Sequence, residues 1–84
     1  QERQARYREL QSVRQRVRQL EQDIAAGEAR QAELTAALED PDTYADSSRA
    51  VALNREITGV ISDLERLTAD WETAATRLHE FEGE

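Results

Sequence analysis

Leu38-Glu39-Asp40-Pro41-Asp42-Thr43-Tyr44-Ala45-Asp46-Ser47-Ser48 contains the only proline of this 84-residue chain. On either side lies one long run of helical periodicity, so the stretch reads as the bend of a hairpin. Asp40 before Pro41 has the form of an N-cap followed by proline at the first helical position, where a missing N–H leaves no hydrogen bond unmade. Residues 41–45 then suit a short helical turn, with Tyr44 expected to fold back over the hairpin end. Asp46, Ser47 and Ser48 offer side-chain oxygens to cap the next helix.

Outward from the bend, apolar positions in the first segment run Leu10, Val13, Val17, Leu20, Ile24, Gly27, Gln31, Leu34, Leu38. In the second they run Ala50, Leu53, Ile57, Val60, Leu64, Leu67, Trp71, Ala74, Leu78, Phe81. Steps of three and four alternate throughout, the spacing of the a and d positions of a heptad. The two registers fit each other. With Leu38 set against Leu53, the residue numbers of each pair total 91, and the same total joins an a to a d position at every layer. Thus Leu34 meets Ile57, Gln31 meets Val60, Gly27 meets Leu64, Ile24 meets Leu67 and Leu20 meets Trp71. Val17 then meets Ala74, Val13 meets Leu78 and Leu10 meets Phe81. The fold class is therefore all-α, an antiparallel two-helix coiled-coil hairpin. One domain over 1–84 is expected, with a helix at 2–39, a bend at 40–47 and a helix at 48–82.

Trp71 facing Leu20 beside the slim Val17–Ala74 layer alternates large with small, which anchors the open end. The centre reads as softer. Gly27 leaves Leu64 poorly covered, Gln31 places an amide in the seam, and each glycine, Gly59 included, lowers helix stability by about 1 kcal/mol relative to alanine.

Composition narrows the function classes. Hydrophobic content of 38%, charged content of 35% and four aromatic residues suit an elongated rod with a narrow seam. The absence of cysteine removes thiol nucleophiles and disulfides and permits a reducing cytoplasm, the expected location. No apolar run approaches the roughly 18 residues of a membrane span, and no signal peptide is visible. A start at Gln1 without methionine points to an excised piece or a processed terminus. No catalytic constellation can be assembled, so the chain is expected not to be an enzyme and to need no cofactor. His79, the only histidine, falls on an outer b position and reads as solvated. The three glycines are scattered, which excludes a phosphate loop. Asp40, Asp42 and Asp46 lack the glycine and terminal glutamate of a calcium loop, so capping is the expected role and no metal site is assigned.

Charge is unevenly spread. Net charge is −7, every basic side chain is arginine, and residues 1–20 carry six arginines against Glu2 and Glu9. Residues 21–40 carry six acids against Arg30, and residues 61–84 carry seven against Arg66 and Arg77. The deduced register gives Arg16 to Asp70, Arg30 to Glu56 and Asp63, Arg14 to Glu82, and Arg77 to Glu9. Such flanking pairs contribute between zero and about 1 kcal/mol each and specify alignment more than stability. The remaining arginines of the first segment are the candidates for an external contact: Arg8 and Arg18 fall at outer f and b positions, and Arg3 and Arg6 continue the seam beyond Leu10 where hydrophobes stop. Against that contact stand Glu80, Glu82 and Glu84, which belong to the same end of the hairpin.

The segment Leu38-Glu39-Asp40-Pro41-Asp42-Thr43-Tyr44-Ala45-Asp46, then Arg49, Leu53 and Ile57, then Asp70-Trp71-Glu72, resembles the C-terminal domain of ATP-binding cassette F proteins (Uup-type). Residues 38–72 carry the likeness best, and the first segment runs about a heptad longer than the family pattern. The resemblance implies a non-catalytic accessory domain that follows the nucleotide-binding domains of a parent ATPase. It also implies binding of nucleic acid, either DNA or structured RNA on the ribosome; because the rest of the surface is acidic, Arg3, Arg6, Arg8 and Arg18 are then the expected nucleic-acid-binding side chains, and a monomer is expected rather than a dimer. Asp40-Pro41 with Ala45-Asp46, Arg49, Ala52-Leu53 and Arg55-Glu56 is similar instead to the N-terminal helical domain of bacterial peptide chain release factors, a ribosome-contacting module. A plain coiled-coil spacer or dimerisation element is the third reading.

Overall fold

The computed structural model describes residues 1–83. The chain runs through α1 (Glu2–Glu39), a single short turn α2 (Pro41–Tyr44) and α3 (Ser47–Glu82). The two long helices lie against each other in a rod of 65 × 18 × 14 Å. The second long helix begins one residue earlier than the sequence pattern predicts, because Asp46 alone supplies the cap. Its carboxylate accepts from the backbone N–H of Ser48 at 3.1 Å and of Arg49 at 3.2 Å. Asp40 caps α2 in the same way, accepting from Asp42 N–H at 2.9 Å, with Pro41 at the first helical position.

The expected register is present. Four ion pairs cross the hairpin among the described residues: Arg16–Asp70 (3.8 Å), Arg30–Glu56 (2.7 Å), Arg77–Glu9 (3.8 Å) and Arg14–Glu82 (3.7 Å). The first three join g to g positions and the last joins e to e, so they flank the a–d seam on its two sides and fix the helices as antiparallel. Arg30 also bonds Glu33 one turn along its own helix, at 3.2 Å. Glu33 and Glu56 together hold the Arg30 guanidinium above its ordinary pKa, so it stays charged at any physiological pH. Asp63, which the register also offered to Arg30, lies 4.0 Å from Arg66 on its own helix instead.

Val17, Leu20 and Leu34 are the buried apolar residues, and the seam positions of α3 are only half-buried. Two helices cannot enclose a core on all sides, so each layer keeps one edge in water. Trp71 follows this rule: the ring is half-buried, and its Nε1–H is sealed from solvent with no protein acceptor among the described residues. Leu20, level with it in the register, is only 1% exposed.

Two expectations need correction. Gly27 does not leave Leu64 uncovered. A β-carbon built on Gly27 would stand 2.7 Å from Leu64 Cδ2, so the leucine already rests on bare glycine backbone. The glycine is the hole for this knob, and only Gly59, with nothing beyond the local helix backbone within 4 Å among the described residues, is a plain loss of helix propensity. At the bend, Tyr44 does not fold back. It is 73% exposed, while Thr43 beside it is 1% exposed. The Thr43 hydroxyl donates to the carbonyl of Ala37 at 2.6 Å, a second and shorter bond to an oxygen that the backbone N–H of Asp40 reaches at 3.3 Å where α1 ends. One inward side chain in a four-residue turn leaves its neighbour pointing out, and the hydrogen-bonding residue takes the inward place.

Candidate nucleic-acid interface

The first five turns of α1 separate their charges by side. At 3.6 residues per turn, Arg3, Tyr7, Arg8, Gln11, Arg14 and Arg18 fall within an arc of about 140° together with Gln4 and Gln15. No acid lies on that arc before Glu21, and Glu2 and Glu9 lie on the opposite side of the helix. Arg3, Arg8 and Arg18 are exposed. Arg14 is half-buried and spans to Glu82, so it is committed to the hairpin rather than to solvent.

Of the four arginines singled out from the sequence, the structure brings Arg3 and Arg8 together with Gln4 and Tyr7 around one shallow hollow. Arg18 stands on the same side, roughly 15 Å farther along the helix axis than Arg8. Arg6 is set apart. It faces the seam side, sharing a hollow with Glu2, Ala5, Glu9 and Phe81, and it already has a contact within the chain. The cluster is thus Arg3, Arg8 and Arg18. The opposing acids at this end are partly engaged: Glu82 with Arg14, and Glu9 with Arg77, whose guanidinium also lies 5.2 Å from the centre of the Phe81 ring. Glu80 is exposed, and Glu84 lies outside the described residues.

Position in the helix strengthens the positive field. The N-terminal end of α1 carries the positive pole of the helix macrodipole, and Glu2 is the sole acid in its first turn. Cations at this end repel the pole, while an anion brought to them gains from both. The chemistry available is recognition of phosphate or carboxylate by guanidinium, which donates paired hydrogen bonds without reading sequence.

Tyr7 was not singled out by the sequence reading. It is 63% exposed in the middle of the basic side. A projection at 100° per residue finds it, because the polar arc then shows one ring among arginines and glutamines. Elsewhere, His79 is exposed, no group of three or more metal-ligating side chains comes together among the described residues, and no helix is long and apolar enough to cross a membrane.

A family model described as the ABC transporter C-terminal domain matches residues 8–75. The match takes in the bend and most of both long helices, begins about one heptad into α1, and decides between the two resemblances in favour of the cassette family. Arg8 and Arg18 lie inside it, and Arg3, Arg6 and Tyr7 lie before it. No curated protein and no solved structure matches the chain.

Proposed function

Because the chain belongs to the ABC transporter C-terminal domain family, we propose that it is the nucleic-acid-binding accessory domain of an F-type ATP-binding cassette protein. In this reading the rod works in the cytoplasm as a monomer beside the nucleotide-binding domains of its parent. Those domains hydrolyse ATP, and the hairpin adds a contact to DNA or to structured RNA on the ribosome. The observation that carries the reading is the acid-free side of the first five turns of α1, where Arg3, Arg8 and Arg18 stand exposed on a chain that is otherwise acidic. A polyanion is repelled by most of this surface and attracted here, so contact at any other face is disfavoured.

Three guanidinium groups make a weak, salt-sensitive contact, with log K falling by about 0.9 per phosphate neutralised for each decade of salt on duplex DNA. The test is a binding titration of labelled nucleic acid at low and moderate salt, comparing the native chain with a variant carrying Arg3→Gln, Arg8→Gln and Arg18→Gln. Native binding that the variant lacks is the expected result. Absence of binding at low salt, or equal binding by both proteins, refutes the reading and leaves a purely structural hairpin.

A further inference from the structure

The basic side of α1 carries an aromatic ring that phosphate recognition does not use. Tyr7 is 63% exposed and shares its hollow with Arg3, Gln4 and Arg8. Arg3 precedes it by one helical turn and Gln11 follows it by one, so the ring has a hydrogen-bonding side chain above and below. The hollow is lined by Arg3, Gln4 and Arg8 beside the ring, and a phenol exposed to water with guanidinium on its flanks is a stacking platform with charge at its edges.

We infer that this face takes unpaired nucleotides, with Tyr7 stacking on a base while Arg3 and Arg8 hold the adjoining phosphates. The inference rests on the nucleic-acid reading above and deepens it. A duplex keeps its bases stacked inside and presents sugar and phosphate to a helix side, which arginines alone satisfy. A single strand, loop or bulge can turn a base out onto an aromatic ring, and such stacking tolerates any base because every base has a π-face. The glutamine amides beside the ring suit the same ligand, since they donate to or accept from base edges and sugar hydroxyls alike.

The other tyrosine provides an internal comparison. Tyr44 is still more exposed, at 73%, but the charged residues within five positions of it are Glu39, Asp40, Asp42 and Asp46 against the single Arg49. Those carboxylates repel phosphate, so exposure of a ring is not sufficient and only Tyr7 combines exposure with positive charge.

The experiment measures anisotropy of a labelled oligothymidine and an oligouridine of about a dozen nucleotides, and of a DNA duplex of equal length, at low salt. The proteins are the native chain, Tyr7→Ala, Tyr7→Phe and Tyr44→Ala. Helicity by circular dichroism confirms folding, which a largely exposed side chain leaves intact. Tyr7→Ala is expected to lose roughly 5- to 100-fold in affinity for the single strands and nothing for the duplex. Tyr7→Phe keeps the ring and is expected to bind single strands like the native chain, and Tyr44→Ala to bind both forms like it. Single-strand binding by Tyr7→Ala equal to the native chain, or an equal loss on duplex and single strand, overturns the stacking role while nucleic-acid binding itself stands. Failure of the native chain to bind any of these probes overturns the inference and the reading beneath it together.

Discussion

Replacing Gly27 and Gly59 separately by alanine separates intrinsic helix propensity from steric fit within a single seam. Both glycines sit in helix interiors, so each substitution gains about 1 kcal/mol of propensity. At Gly59 nothing opposes that gain, because among the described residues nothing beyond the local helix backbone lies within 4 Å of the added methyl. Gly59→Ala is therefore expected to stabilise the hairpin by about 0.5–1 kcal/mol. At Gly27 the added carbon meets Leu64 Cδ2 at 2.7 Å and Cγ at 3.3 Å. Ordinary carbon contacts need about 3.5–4.0 Å, so the side chain must retreat by about 1 Å. Turning the leucine end moves Cδ2 but leaves Cγ tight, which obliges α3 to shift or Leu64 to leave its preferred rotamer. Overpacking of this kind costs about 1–3 kcal/mol. Gly27→Ala is thus expected to fall between no net change and a loss of about 2 kcal/mol once the propensity gain is offset. The difference between the two variants is the measured quantity. Thermal unfolding followed by circular dichroism reads it, since 1 kcal/mol moves the midpoint by about 4–8 °C in a domain of this size. Equal stabilisation by both substitutions would refute the close Gly27–Leu64 packing.

At the bend, Thr43→Val keeps the shape but removes the hydroxyl that donates to Ala37; chemical denaturation is expected to show a loss of about 1–2 kcal/mol, whereas Tyr44→Ala stays within about 0.5 kcal/mol. Asp46→Ala deletes the acceptor shared by Ser48 and Arg49 and is expected to lower stability by about 1 kcal/mol, with the first turn of α3 losing amide-exchange protection before the rest. Leu20→Ala and Trp71→Ala each remove a seam anchor at the same level and are expected to cost roughly 2–4 kcal/mol. Trp71→Phe should lose less than half as much, because it also removes an indole N–H that has no acceptor among the described residues. Urea titrations of the three variants decide this, and a Phe variant as unstable as the Ala variant would contradict it.

How much of this was legible in the sequence follows from the range of the forces. Heptad spacing and a proline behind a capping aspartate are local in the chain, and together they determine two long helices, their bend and the antiparallel register. The ion pairs Arg16–Asp70, Arg30–Glu56, Arg77–Glu9 and Arg14–Glu82 follow from that register alone. So do the division of the chain into a basic start and acidic remainder, and the family likeness centred on the bend. Tertiary structure decided what depends on distances of an ångström or on the side of a helix. Whether Gly27 was a gap or a socket turned on how closely α3 approaches, which heptad letters do not contain. Whether Thr43 or Tyr44 faced inward turned on a hydroxyl reaching the Ala37 carbonyl. The sequence set Arg8 and Arg18 on outer positions and ran Arg3 and Arg6 on along the seam; the structure keeps Arg6 toward Phe81 and Glu9 but places Arg3 with Tyr7 and Arg8. Periodicity says which residues meet the partner helix and which share an outer arc, but only the packed pair shows which of those side chains line one hollow.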